Sequence, residues 1–277
     1  MLKSILIGGL LLLGVPVMAS APPPPPIVVE TQHLSLVLAV GDNQKVYQTY
    51  FGTKLANAQD YSLLPKSYEA YVPAGTDNLF EPALRVVHTD GNPSLALAFV
   101  SVETVAVKGN ATTAADASRE TIIRLRDPQY PVEVQLHFVA FYQEDVIKTW
   151  TEIRHQEKKP VLLTSYASAM LHFEASRYWL TQFHGDWAEE AGPQESQLTS
   201  GLKVIDTKLG TRAAWYQTPA FFLSLDQPAT ETSGQVLAGT LGWTGNFRLA
   251  FEVDNLNALR VSAGINPHAS EYRLPAN

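Results

Sequence analysis

The sequence contains no cysteine. That excludes disulfides, thiolate nucleophiles and cysteine-liganded zinc, so a folded domain must rest on its core alone. Basic residues are scarce too: 20 Lys and Arg against 27 Asp and Glu give a formal charge of −7. No Lys/Arg run offsets that balance, which argues against a nucleic acid partner. The usual short signatures of catalysis are missing: there is no G-x-S-x-G elbow, H-E-x-x-H, P-loop or G-x-G-x-x-G. The histidines, His33, His88, His137, His155, His172, His184 and His268, are scattered. No two stand at metal-ligand spacing on one strand face, so neither a metal nor another cofactor is expected. Helical patterning is also lacking. The best candidate, "TAADASRETII" at residues 113–123, turns β-branched at its end and reverts to strand.

One long apolar run is present, "ILIGGLLLLGVPVMA" over residues 5–19, preceded by Lys3. It falls short of the roughly 20 residues that cross a bilayer as a helix. It matches the apolar region of an export signal, and the small residues of "VMASA" at 17–21 follow it. The expectation is a signal peptide over residues 1–21 and a periplasmic or secreted product; the other reading of the run is a short membrane anchor. Cleavage after Ala19 suits the pattern better than cleavage after Ala21, because Pro22 would follow the latter cut. The five prolines of residues 22–26 read as a stiff polyproline spacer. Residues 27–277 then form one domain without a break in composition.

What fills that domain is alternation. "HLSLVLAV" at 33–40 sets Leu34, Leu36, Leu38 and Val40 on one face, and "VEVQLHFVAFY" at 132–142 does the same from Val132 to Tyr142. A period of two means strands with one buried side. Similar runs recur to residue 265, divided by turn signals such as "GDN", "DGNP", "DPQYP" and "DNLN". The reading is all-β: one large antiparallel domain of a dozen or more long strands in stacked sheets. His137 alternates away from the Leu136 face and is expected to be solvated.

Two loops carry candidate chemistry. "FHGDWAEEAG" at 183–192 places Asp186, Glu189 and Glu190 around an exposed Trp187. Trp stacks on the apolar face of a sugar ring and carboxylates accept its hydroxyls. Three acids on one short loop do not enforce the facing pair, about 5 Å apart, that retaining glycoside hydrolysis needs. The other reading of this loop is a polar turn with Trp187 folded back on the sheet. The second loop, at 71–97, has a flexible polar tip of Gly75, Thr76, Asp77 and Asn78 that suits a ligand or a neighbouring domain; its other reading is a plain long hairpin loop.

Five segments together resemble the N-terminal domain of glycoside hydrolase family 36, the α-galactosidases and related enzymes. They are "YQTYFGTKLANAQDY" (47–61), "FEPALRVVHTDGNPSLAL" (80–97), "YWLTQFHGDWAEE" (178–190), "GQVLAGTLGWTGNFRLAFE" (234–252) and "RVSAGINPHASEYRL" (260–274), in family order. The resemblance implies a large antiparallel β-supersandwich, galactose-mutarotase-like, packed against a C-terminal catalytic (β/α)₈ barrel. It implies retaining hydrolysis of terminal α-galactosides by the complete enzyme, with no cofactor and with both catalytic carboxylates in the barrel. A barrel takes at least about 200 further residues, so the chain is expected to stop at the seam and to hold no catalytic residue. Its partners would be that barrel, an α-galactoside and further copies in a homo-oligomer. Asp77, Asn78 and Trp187 are the candidate substrate-binding residues. The family pattern of an acid, an aromatic and an Arg before "EPAL" is departed from at Asn78, Leu79 and Phe80, and the Arg of its "WARE" is Glu189 here. Two other readings are a free-standing carbohydrate-binding module and a mutarotase-type epimerase. The epimerase needs a converging His and Glu, for which His155 and Glu157 are the nearest pair.

Overall fold

The computed structural model describes residues 24–75, 80–107, 118–212 and 215–276. The expected leader at 1–21 lies outside them. Strands β1 (Ile27–Glu30), β2 (Leu34–Val40), β3 (Val46–Thr53) and β4 (Tyr68–Glu69) form one antiparallel sheet in chain order. β5 (Leu84–Val87) leaves that sheet for a later strand. A long meander follows: β6 (Ala98–Ala106), β7 (Arg119–Arg126), β8 (Val132–Phe141) and β9 (Val146–His155). Next come β10 (Val161–Glu174), β11 (Tyr178–His184), β12 (Gly192–Leu198) and β13 (Gly201–Asp206). The chain closes with β14 (Gln217–Leu225), β15 (Val236–Thr240), β16 (Phe247–Val253), β17 (Ala258–Ile265) and β18 (Tyr272–Leu274). One sheet has the order β12-β11-β14-β15, and another the order β13-β16-β17-β10-β18 with β5 also on β10. Helix is confined to two short 3₁₀ turns among the described residues.

The alternation read from sequence is what buries the sheets. In β8, Val132, Val134, Leu136, Phe138 and Ala140 all enter the core. Two apolar clusters result. One gathers β1, β2, β5, β7 and β8 around Leu36, Leu84, Ile123 and Val134. The other gathers β11, β13, β14, β16 and β17 around Tyr178, Leu180, Phe247 and Leu249. Phe51 and Leu171 pack against both and join them. Each large side chain so buried contributes about 1.5–3 kcal/mol, which is how a fold without disulfides is held.

β10 runs through both clusters. Its first residues pair with β5 and β18 and its later ones with β17, with register shifts between Leu163 and Ser165 and between Ala167 and Ala169. Such bulges bend a strand and let it follow two sheets. Turn chemistry behaves as the sequence suggested at "DNLN". Asn257 takes a left-handed φ of 63°. Asp254 Oδ1 accepts hydrogen bonds from Leu256 N at 2.8 Å and Ala258 N at 2.9 Å.

The end of the best helical candidate, 113–123, is strand from Arg119, as its β-branched residues indicated, while its first residues, 113–117, lie outside the described set. One expectation is corrected: His137 is buried rather than solvated. It does point away from the Leu136 face, but Trp150 lies parallel to its ring at 4.6 Å and Glu120 holds Nδ1 at 2.8 Å. Period two tells which face a residue takes; it does not tell whether that face is covered.

Candidate functional site

The hairpin β11–β12 opens at His184 and Gly192 into the loop at 185–191. The loop is a tight one: Asp186 and Glu189 exchange backbone hydrogen bonds of 3.2 and 3.1 Å. Ala188 and Ala191 sit at φ 63° and 56°, unfavourable for a residue with a Cβ. A second loop, ahead of β14, is tied to it where Gly185 N donates to Tyr216 O at 3.1 Å. A Cβ on Gly185 would stand 3.1 Å from Trp215 O, so the close approach suits glycine. Asp186 Oδ1 accepts from Trp187 N at 2.7 Å and from Trp215 Nε1 at 3.3 Å. Its carboxylate is therefore used in shaping the loops.

The result is an aromatic platform. Trp187 is 83% exposed and does not fold back on the sheet. Trp215 and Tyr216 are exposed beside it, and the Arg212 guanidinium lies 5.1 Å from the Trp215 ring. Under the platform His184 Nδ1 accepts from Gln217 Nε2 at 3.0 Å, and His184 Nε2 donates to Gln194 Oε1 at 2.6 Å. Trp215 and Tyr216 were missed in the sequence. Their only signal was an adjacent pair of aromatics, and sheet pairing is what brings them to Trp187.

Asp77 and Asn78, the other candidate residues, lie outside the described residues. The stems of their loop are firmly placed. Glu81 N donates to Glu252 Oε2 at 3.0 Å, and Arg248 Nη1 donates to Glu81 Oε2 at 3.3 Å. The Arg260 guanidinium stacks on Phe80 at 4.8 Å. On the other stem Gly75 has φ 94°, and a Cβ there would lie 2.4 Å from Ser94 Cα, so only glycine fits. Arg248, Glu252 and Arg260 thus fix the loop base from β16 and β17, a role that no local motif announces.

His155 and Glu157 do not form an acid–base pair open to a substrate. Both are buried. His155 Nε2 donates to Leu274 O at 2.8 Å, while Nδ1 accepts from Glu157 N at 3.2 Å. The Glu157 carboxylate accepts from His88 Nδ1 at 2.6 Å and Thr89 N at 2.9 Å. Burial pushes its pKa up, but the His88 and Thr89 hydrogen bonds outweigh that and hold it below the ordinary carboxylate value. The Tyr130 ring covers His88 at 3.6 Å. His172 is a second buried imidazole. Burial, with Arg260 nearby, pushes its pKa down to about 3, so it is neutral. Its Nε2–H donates to Glu69 O at 2.9 Å. Among the described residues no group of three or more His, Asp or Glu is arranged to hold a metal ion.

Stacked antiparallel sheets, histidines used as internal ties and an exposed aromatic loop define a large all-β domain. The chain belongs to the glycosyl hydrolase family 36 N-terminal domain family, whose model matches residues 44–275. It is similar to Alpha-galactosidase 2 of Pediococcus pentosaceus, with 29% identity over 56% of this chain and 21% of that protein. It is also similar to Alpha-galactosidase Mel36A of Lactobacillus acidophilus, with 22% identity over 89% of this chain and 37% of that protein. Among solved structures, the family 36 α-galactosidase AgaA of Geobacillus stearothermophilus superimposes with a TM-score of 0.81 at 19% identity, over 91% of this chain and 38% of that one. A variant of AgaA solved in complex with raffinose superimposes with a TM-score of 0.82. At these identities the structural likeness speaks for the fold. The chain spans well under half the length of the relatives it matches.

Proposed function

We propose that this chain is the non-catalytic N-terminal domain of an exported α-galactosidase. The complete enzyme would hydrolyse terminal α-galactosides with retention, through two carboxylates on a (β/α)₈ barrel outside this sequence. The domain's own part is structural: it packs on the barrel, supports assembly of copies and lends loops to the rim of the sugar site. Asp77 and Asn78 at the tip and Trp187 on the platform are the proposed rim contacts. The observation that carries this reading is the match of residues 44–275 to the family's N-terminal domain. The apolar run at 5–19 supports export. The purified chain is expected to release no galactose from p-nitrophenyl α-galactoside. Turnover in a preparation free of other glycosidases would overturn the proposal.

The exposure of Trp187 next to Trp215 and Tyr216 favours a second reading, a carbohydrate-binding module that works without a barrel. The two readings part on whether the chain alone binds α-galactosides.

A further inference from the structure

We infer that a groove between the first sheet and the β6–β9 sheet is a binding site for a small organic oxyanion. The groove has a volume of about 440 Å³, within the range of roughly 300–1,000 Å³ typical of small-ligand sites. One end is braced by the backbone hydrogen bond from Gln32 N to Tyr142 O, 2.9 Å. Nearby, Asp145 Oδ1 accepts from Thr31 Oγ1 and His33 N, both at 2.8 Å. The two sheets are thereby held in fixed relation along the cleft.

The floor is formed by the buried residues Val29 and Ala140. The rim carries Glu30, Lys54 and Arg119. Glu30 has little acceptor capacity to spare. Its Oε1 accepts from Ser35 Oγ and from Tyr61 OH, both at 3.1 Å, and its Oε2 pairs with Lys54 Nζ at 2.9 Å. The donors are in the opposite condition. Lys54 makes that one ion pair and keeps further N–H groups, and Arg119 has no ion pair among the described residues. On the wall, Thr104 Oγ1 and Thr121 Oγ1 hydrogen-bond to each other at 3.2 Å.

Two cations against one committed carboxylate make the rim net positive on a chain whose formal charge is −7. A site rich in unused donors and poor in acceptors selects a ligand that brings acceptors. A guanidinium fork suits a carboxylate or phosphate group. The apolar floor suits the carbon body that carries it. A sugar acid or a sugar phosphate has both parts.

The test is a titration of the full chain with galacturonate, with galactose and inorganic phosphate as separate arms, read by changes in amide NMR resonances. Saturable binding of galacturonate that weakens with added salt is expected, with no matching binding of galactose. Arg119→Ala should weaken it at least about tenfold, and Arg119→Lys should restore part of the loss. Arg119 is exposed, so an unchanged unfolding midpoint in these variants separates lost binding from lost folding. Displacement of galacturonate by phosphate would support recognition through the oxyanion itself. Equal binding of galactose, indifference to Arg119→Ala or failure of both anions to saturate would overturn the proposal.

Discussion

The cluster around His88 and the loop after β11 draw on the same residue types, histidine, carboxylate and aromatic, and differ in where their hydrogen bonds go. Around His88 every partner is internal. The imidazole meets Glu157 and Ser94 O, Tyr130 covers the ring, and Glu157 leads on to His155 and the carbonyl of Leu274. In the loop, Asp186 holds the two tryptophans that stand at the surface, and Trp187 turns its ring to solvent. A histidine beside an acid is thus a tie when closed in, and an aromatic beside an acid stands free at the surface when left open. Composition is shared, and burial separates the two roles.

The largest effect that would sharpen this contrast is at Glu157. Glu157→Ala leaves the buried His88 without its carboxylate, and loss of one partner of a buried pair costs roughly 3–5 kcal/mol. Chemical denaturation should show a midpoint lowered accordingly; an unchanged midpoint would mean that the tie carries no stability.

A smaller effect concerns pH and the other buried imidazole, His172. Its folded pKa is about 3 against 6.5 in the unfolded chain. Between those values the unfolded chain binds more protons, so stability falls as pH drops below about 6.5 and is unaffected by this group above it. From pH 7 to pH 5 the loss should be about 2 kcal/mol. His172→Gln should flatten that slope in thermal unfolding measured across the range, and a slope that persists unchanged would assign the loss elsewhere.

The smallest expected effect on stability is at the open loop. Trp187→Ala should move stability by no more than about 0.5 kcal/mol. Its effect should appear instead in ligand binding. Calorimetric titration with raffinose decides between the two functional readings: measurable affinity of the chain alone, lost in Trp187→Ala, favours the binding module, and no affinity favours the dependent domain.

Much of the fold was legible because a strand writes itself every second residue. The runs that became β2, β8 and β16 were readable one by one, whereas the sequence left Trp187 open between an exposed ring and one folded back on the sheet. The burial of His137 was not readable, because its covering residue, Trp150, comes from the neighbouring strand β9. The anchors of the tip loop were hidden for the same reason. Glu81 and Glu252 are 171 residues apart in sequence and meet only through the assembled sheets. The groove holding Lys54 and Arg119 likewise exists only once the first sheet lies against β7 and β8. Local pattern reveals elements; sites made between sheets have no local pattern to show.

β10 has a consequence for how the molecule is made. Its partners β5, β17 and β18 come from residues 84–87, 258–265 and 272–274. As the polypeptide leaves the ribosome, the central strand must wait with an open flank until residues 258–274 have been synthesised. Contacts so distant in sequence close slowly, so nascent chains of this protein should need protection from sticking to one another for longer than a helical protein of equal length.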